Sequence, residues 1–382
     1  MSVKKITSIF KAPAIITALC WAADAAADFK MNMTPGVTQT SHLVYDLHMK
    51  ALWMVTIIAV LVFAVMIYSL ATHRKSKGAQ PANFHHSTKL EIIWTIIPII
   101  ILVVFAFPAT SVLIKMSETG DPDMTVKITG YQWKWHYDYL DENFGFFSNL
   151  AQDSSKAAEL NSGVDLDKVD HYLQNVDNPL VLPVNKKVRL LTTSNDVIHS
   201  WWVPALGWKR DAIPGFINDN WTEIEKPGTY RGQCAELCGQ GHGFMPIVVK
   251  AVSQQEYTAW VKKMKAAQAE AASGVNRTWT MEELLERGKN VYSTTCIACH
   301  QANGQGMPPA FPPLKGSAVA TGPIKEHINV VLHGRPGTAM QAFGKQLNAV
   351  DLAAVITYER NSFGNNVGDM VQPSEIKAEL EK

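Results

Sequence analysis

The 382-residue chain has almost no net charge: 35 lysines and arginines face 34 aspartates and glutamates, for a formal +1. That balance excludes a nucleic-acid binder, which carries a clustered basic excess. Cysteine is scarce, five residues in all. Cys20 lies in an apolar N-terminal run, and the other four form two close pairs, Cys234/Cys238 and Cys296/Cys299. Charge is missing altogether from two stretches, Ala51 to Thr72 and Ile92 to Ile114. At about 1.5 Å per residue, either stretch as a helix covers the roughly 30 Å apolar core of a bilayer. The pair predicts a transmembrane hairpin with helices at about 51–72 and 92–114. Neither stretch holds a histidine cluster, which excludes imidazole-held metal chemistry in the membrane part of this chain.

The loop between the two runs, "HRKSKGAQPANFHHSTKL", carries Arg74, Lys75, Lys77 and Lys89 and no acid. By the positive-inside rule this loop is cytoplasmic, and the segments flanking the hairpin lie outside. Lys4, Lys5 and Lys11 ahead of "APAIITALCWAA", followed by the small-residue run "ADAAA", predict a signal peptide over 1–27. Pro98 and Pro108 predict a kinked second span whose freed backbone groups are satisfied by partner helices.

From Asp123 to Ser253, short β segments alternate with turn signals, which predicts a β-sandwich or barrel. The polar, irregular run 144–177 reads as a surface insertion. Within this region "QCAELCGQGHGFMPIVV" brings Cys234, Cys238, His242 and Met245 within twelve positions, and "NDVIHSWWVPALG" adds His199. Two thiolates, two imidazoles and a thioether match the preferences of copper. Two rival readings use fewer of these residues. Zinc takes two cysteines and two histidines but gives Met245 no role. A Cys234–Cys238 disulfide, the default in an exported compartment, leaves His199, His242 and Met245 unexplained. A rigid, sulfur-rich centre with no open position suits electron transfer rather than catalysis on a substrate.

After Ser253 the alanine-rich, charged stretch "QQEYTAWVKKMKAAQAEAASG" predicts a helical linker over 254–280. A further domain is expected over 281–366, with 367–382 as a tail. Its centre is "CIACH": in the C-x-x-C-H pattern, Cys296 and Cys299 take the two vinyl groups of a haem c and His300 becomes the proximal ligand. A redox dithiol is the rival reading, but it needs a βαβ setting, and here the helical "MEELLERGKNVYSTT" precedes the motif. Met307 and Met340 both follow. Met307 lies seven residues after His300, in a glycine- and proline-rich loop expected on the proximal side. Met340 has enough chain before it to reach the far face, so it is the expected sixth ligand.

"DVIHSWWVPALGWKRDAIPG" followed by "GQCAELCGQGHGFMPIVV" resembles the copper A region of cytochrome c oxidase subunit II, and the resemblance runs from about Ser41 to Ser253. The C-terminal part is similar to class I cytochrome c. Together they imply a multidomain membrane protein. Its parts are a two-helix transmembrane hairpin (within 28–120), a β cupredoxin-like barrel (121–253) and an all-α cytochrome c domain. The family's binuclear copper A centre is held by residues matching His199, Cys234, the backbone carbonyl of Glu236, Cys238, His242 and Met245. The resemblance also implies a magnesium ion shared with subunit I through the Glu236 side chain. Trp133, in "GYQWKWHYDY", matches the point where electrons enter, and Glu91 matches an acid at the mouth of a proton channel in subunit I. Asp196, Asp211 and Glu225 are candidates for an acidic docking surface. The implied function is that of the electron-receiving subunit of a respiratory cytochrome c oxidase that pumps protons. Electrons from an external donor such as a cytochrome c pass through haem c and copper A to subunit I, where oxygen is reduced. Subunits I and III and the membrane are the implied partners. The implied location is a bacterial cell membrane, crossed twice, with both redox domains on the outer face.

Overall fold

The computed structural model describes residues 32–80, 85–159 and 161–382; the expected signal peptide lies outside them. Helices α1 (Gln39–Thr72) and α2 (Thr88–Met116) are each long and apolar enough to cross a bilayer. Both Pro98 and Pro108 sit inside α2. α1 starts well before the apolar run that announced it. A capping box starts it there: the Thr38 hydroxyl accepts from the Ser41 amide, and Ser41 accepts from the Thr38 amide. The polar residues Asp46 and Lys50 then extend the helix out of the apolar core, where hydropathy no longer reports it. This first turn is fastened to the exported part of the chain. Thr38 Oγ1 donates to Leu206 O at 2.9 Å, Val37 N to Ala205 O at 3.0 Å, and His42 Nε2 lies 3.0 Å from Glu225 Oε2.

The exported β region has ten strands. They are β1 (Met124–Tyr131), β2 (Lys134–Tyr139), β3 (Phe144–Ser148), β4 (Leu180–Pro183), β5 (Val188–Ser194), β6 (His199–Val203), β7 (Trp208–Ala212), β8 (Asn218–Thr222), β9 (Gly228–Cys234) and β10 (Pro246–Val252). They form two five-stranded sheets, ordered β3-β2-β1-β5-β8 and β4-β10-β9-β6-β7. The two-residue period of a strand puts alternate side chains inside, as in β5, where Val188, Leu190, Thr192 and Ser194 are buried and the residues between them are not. Val126, Ile128, Trp135, Leu190, Trp201 and Ile247 fill the core between the sheets. The expected insertion 144–177 begins too early, because Phe144–Ser148 is the edge strand β3, paired residue for residue with β2. Its burial comes from aromatic contact, Phe144 stacking on Tyr139 at 5.0 Å, and the glycine and serine beside these rings mask the strand pattern. Beyond it, the short helix α3 (Gln152–Ala157) lies in the polar remainder.

α4 (Gln254–Ser273) opens on a Ser253/Glu256 capping box. Its first half is not a free linker: Tyr257, Trp260, Val261 and Met264 pack on the β core, and Lys265 Nζ reaches Glu142 Oε2 at 2.6 Å. The helix is a stiff bridge to a second core built from α5 (Met281–Val291), α6 (Ile297–His300), α7 (Ala318–Thr321), α8 (Ile324–His333), α9 (Ala349–Asn361) and α10 (Pro373–Leu380). α5 and α9 cross at Gly288, where a Cβ would lie 2.1 Å from Ala354 O, so only glycine allows this approach. Residues 367–382 are not a loose tail. Val371 and Ile376 are fully buried in this core, and the Gln372 amide group accepts from Trp279 N and donates to Trp279 O, both at 2.9 Å. Two apolar anchors in a polar stretch are too few to show as a pattern.

Candidate metal centre and the adjoining cavity

β9 ends at Cys234 and its antiparallel neighbour β10 begins at Pro246, so the eleven residues between them form one loop at the end of the sandwich. β6 lies on the other side of β9, with Trp201 opposite Cys234, which brings His199 beside that loop. The two thiols are free and their sulfurs are 3.8 Å apart. Cys234 Sγ lies 3.9 Å from His199 Nδ1 and 3.3 Å from Glu236 O. Cys238 Sγ lies 3.5 Å from both His242 Nδ1 and Met245 Sδ. All six residues named for copper thus converge, and His199, Cys234, Cys238 and Met245 are each at most 3% exposed. The donor set of two thiols, two imidazoles and a buried thioether suits a soft metal and has no carboxylate oxygen among it, so it fits copper. The thiols titrate as a pair. The hydrogen bond from Cys238 is the main cause that pulls Cys234 far below the usual thiol range, and the same bond, with burial, pushes Cys238 far above it.

Asp196 orients the first histidine. Its Oδ1 is 2.9 Å from His199 Nε2, which leaves Nδ1 facing Cys234. Burial alone would lower the His199 pKa, but the bonds to Asp196 and Cys234 outweigh it and the net shift is upward. The ring lies against Gly130, where a Cβ would be 2.8 Å from His199 Cδ2. Asp196 is therefore taken up by the metal loop, whereas the other two candidates stay at the surface in exposed pairs, with side chains 41% and 40% exposed. Asp211 is taken by Lys209 and Ser200 at 2.7 Å each, and Glu225 by His42. Three acids of similar sequence setting are separated by what each one pairs with.

Trp133 and Gln132 lie directly on the metal loop, donating to Cys238 O from Nε1 at 3.1 Å and Nε2 at 2.9 Å. On its other side the Trp133 ring meets Phe311 of the second domain edge-on, with centroids 6.4 Å apart. Next to it opens a cavity of about 530 Å³ lined by Cys296, Cys299, His300 and Met340 from that domain and by Trp133 and Lys134 from the β domain. His300 Nδ1 is engaged by Pro312 O at 3.0 Å, which leaves Nε2 to ligate. Met307 is not part of this lining: its backbone bridges to Phe311, and its sulfur faces Gln240 Nε2 at 3.5 Å. Burial pushes the Cys299 thiol up to about 11 and Cys296 well above its ordinary value. A redox dithiol needs the opposite shift. The cavity therefore fits a covalently held haem better than a dithiol centre. Buried His327, paired with Glu359 at 2.9 Å, also reaches the cavity, and its Nδ1 has no partner. A cofactor that carries acceptor groups, as haem carboxylates do, suits that orphaned nitrogen.

Gln341, the residue after Met340, ties the two sites together: its Nε2 donates to Gln132 O at 3.2 Å and to Asp196 Oδ2 at 3.0 Å. Gln341, Lys134 and His327 were all missed from the sequence as site residues, and Asp196 was expected only as a docking acid. Only Lys134 carried a signal, as a lone cation between two tryptophans. Glu91 stands exposed in the first turn of α2, away from both sites.

Comparison with known proteins agrees with this geometry. Residues 124–252 match the model described as cytochrome c oxidase subunit II, periplasmic domain, and residues 26–112 match its transmembrane domain. A probable cytochrome c oxidase subunit 2 of Rickettsia bellii is 38% identical over 262 residues, covering 69% of this chain and 93% of that one. The chain belongs to the cytochrome c oxidase subunit II family. The subunit 2 of Cereibacter sphaeroides is 36% identical over 253 residues, 64% of this chain and 82% of its own. The solved periplasmic domain of subunit II of cytochrome oxidase from Bradyrhizobium japonicum is 41% identical, covers 39% of this chain and 98% of that one, and has a TM-score of 0.34. Residues 283–358 match the model for cytochrome c oxidase, cbb3-type, subunit III. This subunit II thus carries a cytochrome c domain of its own. It is a membrane protein with a periplasmic domain and works beside partner subunits in a cytochrome c oxidase, with copper and haem as the cofactors.

Proposed function

We propose that this subunit II receives electrons from an external donor such as a cytochrome c at its own haem domain and delivers them through the copper A loop to subunit I. Cys296 and Cys299 would hold the haem covalently, and His300 and Met340 would offer a nitrogen and a sulfur to its iron. His199, Cys234, the Glu236 carbonyl, Cys238, His242 and Met245 hold the copper pair. When bound, the two groups supply one-electron storage. The protein's own part is positioning. Asp196 fixes the His199 ring, the Pro312 carbonyl fixes the His300 ring, and Trp133 fills the space between cavity and metal loop. The contact of Trp133 with both Cys238 O and Phe311 is the observation that carries this reading. With its own haem domain against Trp133, the chain takes electrons from outside at that domain and not at the indole. Burial of His199, Cys234, Cys238 and Met245, beneath a loop whose outer face is exposed, keeps water from the donor atoms and reorganisation small.

The finer assignments follow the family. The exposed Glu236 carboxyl is offered to a magnesium ion shared with subunit I, as suits a hard cation, and Glu91 stands at a proton-channel entrance of subunit I. Leu237, 79% exposed at the tip of the metal loop, and the exposed Phe216 and Ile217 support burial against oxidase partners, subunits I and III among them. The setting is a bacterial cell membrane with both redox domains on the outer face, in a complex that couples oxygen reduction on subunit I to proton pumping.

Two measurements test the proposal. Cys234→Ser or Cys238→Ser removes the mixed-valence copper spectrum and leaves the haem c bands. Flash reduction of haem c in the purified oxidase is followed by copper reduction at a rate that does not change on dilution. A copper signal that survives either substitution, or a rate that falls in proportion to dilution, overturns it.

A further inference from the structure

We propose that Lys134 is a redox-tuning residue lent by the β domain to the haem cavity, raising the reduction potential of the haem for as long as the two domains are in contact. This rests on the haem assignment above. Lys134 begins β2, is 5% exposed, and lines the cavity that also holds Cys296, Cys299 and Met340. Among the described residues its ammonium makes no ion pair and no hydrogen bond. Its close neighbours are ring faces: Phe147 of its own domain, 4.5 Å from ring centroid to Nζ, and Phe343 of the haem domain, at 5.1 Å. Such a site is unusual for lysine, because a buried ammonium without a carboxylate loses its hydration and gains no partner. Burial is the main cause that lowers its pKa, to about 8, while Cys296, Cys299 and the more distant carboxylates of Asp196 and Asp177 pull it upward.

A haem changes its charge by one unit on reduction, and the oxidised form is the more positive. A fixed cation in the same poorly screened cavity therefore disfavours the oxidised form. Lys134 and the haem-binding residues belong to different domains, so this influence exists only in the docked arrangement that Gln341 and Trp133 secure. Docking then does two things together: it brings the haem domain to the copper loop and makes the haem easier to reduce.

Spectroelectrochemical titration of haem c in the intact oxidase tests this with Lys134→Met and Lys134→Arg. The methionine variant keeps length and apolar packing but loses the charge. Its haem midpoint is expected to fall by about 59 mV, a tenfold change in the one-electron equilibrium constant. Lys134→Arg, which keeps the charge, is expected to stay near the unsubstituted value. If Lys134→Met disturbs the methionine-to-iron band, Lys134→Gln is titrated in its place. An unchanged midpoint with haem content and that band intact overturns the proposal. So does an arginine variant that falls as far as the methionine variant, since packing and not charge is then the cause. Absence of covalent haem from the unsubstituted protein would instead refute the haem assignment itself.

Discussion

Replacing Gln341 with alanine should uncouple the two redox domains without touching a ligand of either cofactor. Its amide makes two bonds across the interface, to Gln132 O at 3.2 Å and to Asp196 Oδ2 at 3.0 Å. A bond between neutral groups contributes about 1 kcal/mol and one to a charged group about 2 kcal/mol. Asp196 keeps His199 and the Gln132 N–H after the change, and the Gln132 carbonyl loses its donor. The loss is therefore about 3 kcal/mol, and at 1.4 kcal/mol per tenfold the docking constant falls by about 100-fold. The haem-to-copper rate follows the docked fraction, so flash reduction of haem c should show transfer slowed by up to about 100-fold. The copper spectrum and the methionine-to-iron band should be unchanged, which separates a docking defect from damage at either site. A transfer rate within a factor of two of the unsubstituted oxidase, with both spectra intact, would refute the idea that this contact holds the domains together.

Other expectations concern single side chains. Met340→Ala should abolish the methionine-to-iron band and lower the haem potential, because a thioether ligand raises it, whereas Met307→Ala should leave the band in place; redox-difference spectra distinguish the two. Gly130→Ala should push the His199 ring off its position, since the new Cβ would start 2.8 Å from Cδ2, and metal analysis should show copper lost while haem c remains. Gly288→Ala should overpack the α5–α9 crossing, which costs about 1–3 kcal/mol and lowers the thermal midpoint of the haem domain ahead of that of the β domain.

The convergence of the candidate copper ligands was legible because it shows twice in the chain, once in the loop after Cys234 and once through a motif around His199. The haem motif was legible for the same reason, as its three groups are contiguous. What escaped was contact between residues that carry no chemistry of their own. Asp196 and Gln341 are 145 positions apart, and neither pattern nor composition pairs a carboxylate with an amide across two domains. Asp196 was instead grouped with Asp211 and Glu225, which share its charge but not its neighbours. The start of α1 escaped because hydropathy detects the membrane, whereas helix propensity and the Thr38 cap set where the helix begins. β3 and α10 escaped because each is anchored by two or three buried side chains in an otherwise polar segment.

The bridge α4 runs as one helix from its packed first half to the haem domain. In a helix each residue adds about 100° of rotation along with about 1.5 Å of rise. Adding or deleting one residue in its exposed half would therefore swing the haem domain a quarter of a turn or more around the axis, and the cavity would face away from Trp133. Adding three or four would bring it nearly back into phase, one turn further out. Tolerance of length changes here is periodic, whereas a flexible tether would accept any length. Natural variation in this segment should thus come in whole turns, and the spacing between the two redox domains is an angular quantity before it is a distance.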